Sequence, residues 1–238
     1  MNENQYLRKS ADGVSYLDYK DFLGIPGGIL LRNDGFPPAV LDGFIINNCS
    51  NTHGNKAAAE KYPHRLIRLN QKHTNIVVSA KNNTQSPADG VYTNLREHIL
   101  LVRTADCVPA FLYDGSIAGL LHLGWRSVFA GILGNFFQAV PGFNKKRAKA
   151  VIGPGIGSCC FEVSSEVFML FDKKYRHCRN DKFFIDLKRL ILDELTGFGL
   201  KYILTDESCT VCERELFHSY RREGPEVKHM ISYISLGG

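Results

Sequence analysis

The sequence contains no long apolar run, no block of like charges, no internal repeat and no low-complexity tract. A membrane-spanning helix needs about 18 or more consecutive apolar residues, and no stretch reaches that length. Residues 1–13 lack the apolar centre of a secretory signal, so we expect a cytoplasmic protein. The net charge is +5, but the longest basic run is Lys145, Lys146 and Arg147, too short for a nucleic-acid surface. We therefore expect neither a membrane nor a nucleic-acid partner.

A disulfide framework is not expected either. The chain has seven cysteines, an odd number, in a protein that we expect to stay in the reducing interior of the cell. Their thiols should be reduced, so at least one is available as a metal ligand or nucleophile. The cysteines are Cys49, Cys107, Cys159, Cys160, Cys178, Cys209 and Cys212.

The composition predicts one domain over residues 1–238, because 44% of the residues are hydrophobic and 22% are charged, enough to bury a sizeable core. Residues 98–104 and 108–113 resemble buried strands, and the Asp-Gly pair at 114–115 indicates a turn into a third strand over 117–123. These three strands predict an antiparallel meander.

Helices and further strands follow the meander. Apolar residues recur at a helical period over 127–140, and two more helices are predicted, one after Ser164 and one over 186–196. Strand-like segments lie at 148–152, 202–205 and 229–236. The pattern predicts an α/β fold of the α+β type, with a mixed sheet, antiparallel pairing and helices packed on it.

Three residues beside apolar runs are suited to bind a metal ion: His73, Cys107 and His122. Imidazole and thiolate both match Zn²⁺, and three protein ligands leave the fourth tetrahedral position open for water or substrate. Spacing alone is weak support, because single histidines and cysteines are more often structural. The context favours a site, since His122 ends a predicted strand just before residues 124–126 open a helix.

Six short motifs follow one another from about residue 65 to the end of the chain. They are QKH at 71–73, ADGVYT at 88–93, TADCVP at 104–109, HLGWR at 122–126, IGPGIGSCCFEV at 152–163, and CT at 209–210 with FHSYRR at 217–222. Together they resemble the YfiH/YlmD family, whose members were formerly called multicopper polyphenol oxidases or laccase-domain proteins and include mammalian FAMIN.

The resemblance implies that His73, Cys107 and His122 hold a catalytic Zn²⁺ ion, with copper as the less favoured metal. It implies phosphorolysis of adenosine, inosine, guanosine and methylthioadenosine, with adenosine deamination as a second activity. A three-ligand zinc ion lowers the pKa of bound water to about 7, which suits attack on adenine. The expected partners are a small-molecule nucleoside and phosphate, bound by a monomer or small homo-oligomer.

Further residues receive expected roles at this site. Asp106 is expected to act in catalysis beside the metal ligands, and both Asp106 and Asp89 could orient a metal ligand or transfer a proton, with orientation the more frequent role of such carboxylates. Arg126, near a helix start, and Arg32 are the expected phosphate contacts. Gln71 and Asp89 are the other expected substrate-binding residues.

The chain departs from the family pattern in three places. Thr74 replaces the glycine that usually follows the first metal histidine, the turn between the second and third metal ligands is two residues shorter, and residues 1–64 diverge. Cys209 and Cys212 form half of a zinc-knuckle pattern, but no second pair accompanies them. We therefore interpret both as structural, and Cys159–Cys160 as packing residues beside a Gly-rich turn.

Three alternative functions remain open from the sequence. The family also suggests a peptidoglycan-precursor editing hydrolase acting on UDP-linked muropeptides, which would use the same three ligands. A copper phenol oxidase is physically poor, because a laccase needs several histidine-rich copper centres and only three of the eight histidines lie in the motifs. A non-catalytic domain stabilised by zinc would require a closed fourth ligand position.

Overall fold

A computed structural model describes residues 8–50, 64–82 and 85–237. Sequence predictions that fall on 1–7 and 51–63, namely part of the chain start and part of the divergent N-terminal region, lie outside the described residues. Among the described helices, none combines the length and the apolar character needed to cross a membrane.

Fifteen strands are present in the described residues. They are β1 (Arg8–Ala11), β2 (Val14–Asp18), β3 (Gly27–Leu30), β4 (Arg65–Arg68), β5 (Val77–Ser79), β6 (Gly90–Thr93), β7 (His98–Thr104), β8 (Val108–Tyr113), β9 (Ala118–Leu123), β10 (Lys149–Ile152), β11 (Glu162–Val163), β12 (Arg176–Arg179), β13 (Lys182–Ile185), β14 (Tyr202–Thr205) and β15 (Met230–Ser235).

The same residues form seven α-helices and one 3₁₀ turn at Lys173–Tyr175. The helices are α1 (Lys20–Leu23), α2 (Pro38–Ser50), α3 (Trp125–Phe129), α4 (Ile132–Ala139), α5 (Ser165–Met169), α6 (Leu187–Gly197) and α7 (Tyr220–Glu223).

The strands form two six-stranded sheets and one small sheet. The first sheet has the order β1-β2-β3-β15-β7-β4, the second has β14-β10-β8-β9-β6-β5, and the small sheet has β11-β13-β12. Most neighbours are antiparallel, while β4 with β7, β5 with β6 and β10 with β14 are parallel. The predicted mixed α/β fold with antiparallel pairing is confirmed, although three sheets replace the single predicted sheet.

The two large sheets pack face to face, and helices cover their outer faces. Val102 of β7 and Phe111 of β8 lie in the core between the sheets, whereas Leu101 faces α2 and Leu112 faces α4. Successive side chains of a strand point to opposite faces. Both faces of β7 and β8 are therefore buried, which explains why their sequences are continuous apolar runs rather than alternating ones.

The predicted meander over 98–123 is only partly correct. Strands β8 and β9 pair as predicted, joined by the turn at 114–117, but β7 belongs to the first sheet and β8 to the second. The chain crosses from one sheet to the other at Ala105–Cys107, where Asp106 has a φ of +88°. An apolar run identifies a strand but does not identify the sheet to which it belongs.

The helix predicted over 127–140 is interrupted. Gly131 has a φ of +82°, which ends α3 and starts α4 in a new direction. The helix after Ser164 and the helix near 186–196 are confirmed, and the Asp186 side chain accepts a hydrogen bond from the backbone N–H of Arg189 at 3.0 Å, as expected of a helix N-cap.

Candidate metal and substrate site

His73, Cys107 and His122 meet at one end of the packed sheets. They come from the loop after β4, from the crossing between β7 and β8, and from the end of β9. Their ligand atoms all lie within 4.8 Å of one another. The Cys107 Sγ and His73 Nε2 atoms are 3.6 Å apart, and the two imidazole rings have centroids 4.9 Å apart. The three side chains predicted from the sequence therefore converge.

This geometry fits a tetrahedral metal ion. With Zn–S near 2.3 Å and Zn–N near 2.05 Å, two such ligands lie about 3.6 Å apart, which is the observed distance from sulfur to nitrogen. Gly124 leaves room for the pair, because a Cβ atom there would lie 2.8 Å from His73 Cδ2 and 3.1 Å from Cys107 Sγ. The donor set and its surroundings can accommodate one borderline metal ion.

Asp89 fixes the orientation of His122. Its Oδ1 atom lies 2.7 Å from His122 Nδ1, which leaves Nε2 as the ring nitrogen available for a metal. Burial alone would raise the pKa of Asp89, but hydrogen bonds from His122 and Thr74 outweigh it and lower the pKa to about 2. In turn, burial would lower the pKa of His122, but Cys107 and Asp89 raise it to about 9.

Asp89 also shapes the loop that carries His73. Its carboxylate accepts hydrogen bonds from the backbone N–H of His73 at 3.0 Å and from both the N–H and the hydroxyl of Thr74 at 2.6 and 2.8 Å. These bonds hold His73 at a φ of +59°. Thr74, a departure from the family pattern, thus contributes two of the bonds. Asp89 is fully buried and lies beneath the candidate metal ligands.

Cys107 lies where a thiolate is favoured. Burial would raise its pKa, but the charges and hydrogen bonds of His122 and His73 outweigh burial and lower the pKa to about 6. The thiolate is the form of cysteine that binds metals.

Asp106 ties the crossing turn to the C-terminal part of the chain. Its Oδ1 atom accepts a hydrogen bond from the Thr210 hydroxyl, and its Oδ2 atom accepts one from the backbone N–H of Arg221, both at 2.6 Å. Only 8% of Asp106 is exposed. The structure therefore places this expected catalytic residue as a brace of the turn that presents Cys107.

A cavity of about 470 Å³ opens beside the three candidate ligands. Gln71, Asp106 and Arg126 line it, as expected from the sequence. Further lining residues that the sequence reasoning missed are Arg103, Trp125, Phe161, Tyr220, Arg221 and His229. Four of these, Trp125, Phe161, Tyr220 and Arg221, lie inside the motifs and were detectable there. Arg103 and His229 lie just outside them: Arg103 is in β7 and His229 directly precedes β15, where Met230 pairs with Thr104 of β7.

Gln71 and Arg126 differ in what they offer to a ligand. The Gln71 side chain donates to the backbone oxygen of Arg103 at 2.8 Å and accepts from its N–H at 2.9 Å, so it extends the edge of β7. Arg126 is exposed and its guanidinium lies 4.5 Å from the centre of the Trp125 ring. Arg126 is therefore the freer of the two for an anionic ligand.

Arg32 does not line this cavity. Its guanidinium donates to Asp34 and to Glu223, each at 2.8 Å. Arg32 was predicted as a phosphate contact from the divergent N-terminal region, where the motif match is weakest. In the structure it belongs to a separate group of ion pairs.

The prediction that no second cysteine pair accompanies Cys209 and Cys212 is wrong. Cys159–Cys160 lies beside Cys209 and Cys212 in space, with ligand atoms within 4.8 Å of one another. A second cysteine pair therefore accompanies the first, although 48 residues lie between Cys160 and Cys209. Sequence distance concealed this second candidate metal group.

Comparisons with known proteins agree with the motifs. Residues 48–237 match a family model described as multi-copper polyphenol oxidoreductase laccase. The purine nucleoside phosphorylase of Aquifex aeolicus is 34% identical over 168 residues, which cover 70% of this chain and 81% of that protein. The purine nucleoside phosphorylase YfiH of Escherichia coli is 32% identical over 189 residues, covering 75% and 77%. The crystal structure of YlmD from Geobacillus stearothermophilus shares the fold, with a TM-score of 0.77 at 23% identity over 98% of this chain and 99% of that one. The chain therefore belongs to the laccase-domain family of the YfiH and YlmD proteins.

Proposed function

We propose that this chain is a zinc-dependent purine nucleoside phosphorylase acting on adenosine, inosine, guanosine and methylthioadenosine, with adenosine deamination as a second activity. Two relatives, 34% and 32% identical over 70% and 75% of this chain, are named purine nucleoside phosphorylases. The observation that carries the proposal is the meeting of the His-Cys-His group with a cavity lined by arginine and aromatic side chains. Nucleoside and phosphate offer the matching anionic and flat apolar groups.

His73, Cys107 and His122 are the residues that would hold the zinc ion. When bound there, the ion would supply Lewis acidity to water or to a polar atom of the substrate. Asp89 positions His122 and the His73 loop, and Asp106 positions Cys107, so both carboxylates act through the ligands. We therefore propose both as positioning residues.

Arg103 and Arg126 are the proposed phosphate contacts. Both are exposed residues that line the cavity, and a guanidinium binds phosphate oxygens in a two-point geometry. Arg221 also lines the cavity, but its guanidinium donates to the backbone oxygens of Cys160 and Glu162 at 3.2 and 2.8 Å. We therefore propose that Arg221 stabilises the cavity wall and that Arg103 and Arg126 bind phosphate.

Aromatic side chains complete the cavity and suit a purine base. Trp125, Phe161 and Tyr220 line it, and the flat faces of such rings stack on bases. Tyr220 is 57% exposed, so its ring is accessible to an incoming ligand. The cavity volume lies within the range of about 300 to 1,000 Å³ found for small-molecule sites.

The donor sets disfavour a multicopper oxidase. Within the described residues, the two candidate metal groups are one His-Cys-His set and one set of four cysteines. A laccase needs further histidine-rich copper centres, and neither group supplies one. The proposed metal at the His-Cys-His set is therefore zinc.

A nucleoside screen with and without phosphate tests this function. We expect adenine and ribose-1-phosphate from adenosine only when phosphate is present, and a slower release of inosine in its absence. Arg126→Gln should raise the KM for phosphate by about tenfold or more, whereas Arg147→Gln, an exposed arginine outside the cavity, should not change it. Reaction with UDP-linked muropeptides alone, with no dependence on phosphate, would establish the editing function instead.

A further inference from the structure

Four cysteines from two distant segments converge outside the cavity. Two come from the Gly-rich turn before β11 and two from the turn that precedes α7. We call them the four-cysteine cluster: Cys159, Cys160, Cys209 and Cys212. Their sulfur atoms all lie within 4.8 Å of one another, and Cys212 Sγ lies 3.7 Å from Cys159 Sγ and 3.5 Å from Cys160 Sγ.

These distances fit a shared metal ion. Four thiolates around one zinc ion, each with a Zn–S bond near 2.3 Å, have sulfur atoms about 3.8 Å apart. A disulfide would bring two sulfur atoms to about 2.05 Å. The observed spacings of 3.5 and 3.7 Å match the edges of the tetrahedron.

The backbone around Cys209 is arranged to stabilise a thiolate. Its sulfur accepts a hydrogen bond from the N–H of Gly157 at 3.2 Å. Glycine at 157 leaves room for the two sulfur atoms, because a Cβ atom there would lie 3.2 Å from Cys159 Sγ and 3.4 Å from Cys209 Sγ. A backbone N–H donor aimed at the sulfur stabilises its charged, ligand form.

The surface beside the cluster is basic. Arg179, Lys182, Arg221 and Glu162 line the same shallow pocket as two of the cysteines. Lys182 is paired with Glu162 at 2.9 Å, and Arg179 donates to the backbone oxygen of Cys159 at 2.8 Å, so the two arginines give the pocket its positive charge. Four thiolates and one divalent ion carry a net charge of −2. The surrounding cations are complementary to that charge.

We propose that the four-cysteine cluster binds a second Zn²⁺ ion in a closed, structural site. Four protein ligands fill the tetrahedral coordination of zinc, so the ion has no open position for substrate. The inference does not depend on the proposed phosphorylase activity, because it rests on the geometry and surroundings of the four cysteines.

The second ion would brace the first site. The Thr210 N–H donates to the backbone oxygen of Gly155 at 3.1 Å, and the Ile156 N–H donates to that of Asp106 at 2.8 Å. Thr210 also holds the Asp106 carboxylate. The two cysteine-bearing segments thus bond to each other and to the residue before Cys107, so fixing them together fixes the turn that presents this ligand.

Metal content is the direct test. We expect about two zinc ions per chain in protein purified under reducing conditions, and about one ion in Cys209→Ser/Cys212→Ser. Cys107→Ala should also retain about one ion, that of the cluster. Cys178→Ser is the matched control, since Cys178 is exposed and lies outside both groups, and it should retain two. One zinc ion in the wild-type chain, unaffected by the double substitution, would overturn the proposal.

A second measurement covers the case in which the double variant fails to fold. In the wild-type chain, zinc should slow the alkylation of the exposed Cys159 and Cys212 at least about tenfold, and a chelator should restore it, while Cys178 reacts equally in both states. Replacement of zinc by Co²⁺ should produce visible bands typical of a tetrahedral tetrathiolate in Cys107→Ala. Alkylation of Cys212 at the rate of Cys178 in zinc-loaded protein would contradict the proposal, as would a disulfide from Cys212 to either neighbour in freshly reduced protein.

Discussion

Two residues of the candidate metal site have left-handed backbone conformations without being glycine. His73 has a φ of +59° and Asp106 a φ of +88°. Such conformations cost on the order of 1 kcal/mol or more and persist only where surrounding contacts hold them. Asp89 supplies those contacts at His73, and Thr210 and Arg221 supply them at Asp106. Buried carboxylates thus hold the two turns that present metal ligands.

Asp89→Asn should weaken zinc binding about 10- to 100-fold. Both carboxylate oxygens of Asp89 accept hydrogen bonds from donors, so the amide group of asparagine must face a donor whichever way it is turned. Competition with a coloured chelator measures the affinity. The matched control is Asp114→Asn, because Asp114 is equally buried and accepts bonds at the other end of β8. This control should lower stability but leave zinc affinity unchanged; equal losses of affinity in both variants would contradict the role of Asp89.

We expect the ion pairs of Glu223 to make the free energy of unfolding depend on pH. Burial would raise its pKa, but Arg222 and Arg32 outweigh burial and lower it to about 2. A pKa depressed by folding adds stability above the unfolded value, near 4.3, and that stability is lost as the pH falls towards 2. Glu223→Gln should therefore lower the free energy of unfolding by about 1 kcal/mol at pH 7, less than the full shift because the carboxylate is partly solvated.

The difference between the wild type and Glu223→Gln should shrink as the pH falls from 5 to about 2. Urea titrations at a series of pH values measure it, and effects common to both proteins cancel. Glu226→Gln, an exposed residue nearby, should leave the free energy of unfolding unchanged across the series. A difference that grows as the pH falls would contradict the assigned ion pairs.

At the scale of single residues, the sequence predicted the three candidate metal ligands and named Asp89 and Asp106 as carboxylates that could orient them, but it did not predict the contacts that these carboxylates make. His73, Cys107 and His122 carry donor atoms that zinc prefers, so residue type and motif order identify them. The role of Asp89 depends on the direction in which its side chain points, towards the candidate ligands or towards the cavity. The hydrogen bond between its carboxylate and His122 joins residues 33 positions apart. Gln71 likewise looks available in the sequence, whereas both ends of its amide bond the backbone of Arg103. Contacts of this kind follow only from the folded arrangement.

At the scale of elements, the glycine that precedes α3, Gly124, leaves the space in which His73 and Cys107 approach each other. Gly124→Ala is compatible with the local backbone, since φ is −84° and ψ is 163°, but the added Cβ atom would meet His73 and Cys107. We expect a loss of at least about tenfold in zinc affinity, with a thermal midpoint close to that of the wild type. Metal titration and thermal denaturation measure the two effects.

Gly134→Ala is the matched control for this substitution. Gly134 is half-buried in α4, and a Cβ atom there would lie in ordinary contact, 3.6 Å from Phe198 Cζ. Alanine in a helix should add about 0.5 to 1 kcal/mol of stability and leave zinc affinity unchanged. If Gly124→Ala binds zinc as tightly as the wild type, the close approach of Gly124 is not required by the site.

Helices and strands were predictable where a single apolar pattern determines the type of element. They were not predictable where the chain changes direction between two adjacent buried segments. The strands β8, β9 and β14 lie where the apolar runs predicted them. The break of the helix at Gly131 and the crossing between sheets at Asp106 depend on single backbone conformations. Apolar periodicity continues through both points, because the segments on each side are buried. Such patterns report burial and local period, not connectivity.

At the scale of the whole molecule, the C-terminal strand β15 lies at the centre of the first sheet. It pairs with β3 on one side and with β7 on the other, and β7 leads directly into the crossing turn of the metal site. Residues from near both ends of the chain must therefore come together before this sheet is complete. The site has its full support only when β15 is in place.

Ser232→Pro in β15 should prevent stable folding. Ser232 is fully buried and stands opposite Ile29 of β3 and Val102 of β7, so proline removes a donor from the middle of the sheet and costs about 3 kcal/mol or more. Ser10→Pro is the control, because β1 is an exposed edge strand paired only with β2. We expect the control to retain a cooperative thermal transition and zinc binding, and Ser232→Pro to lose both. A cooperative transition in Ser232→Pro within a few degrees of the wild type would show that the sheet forms without continuous pairing through β15. In that case the candidate metal site would be supported by the second sheet alone.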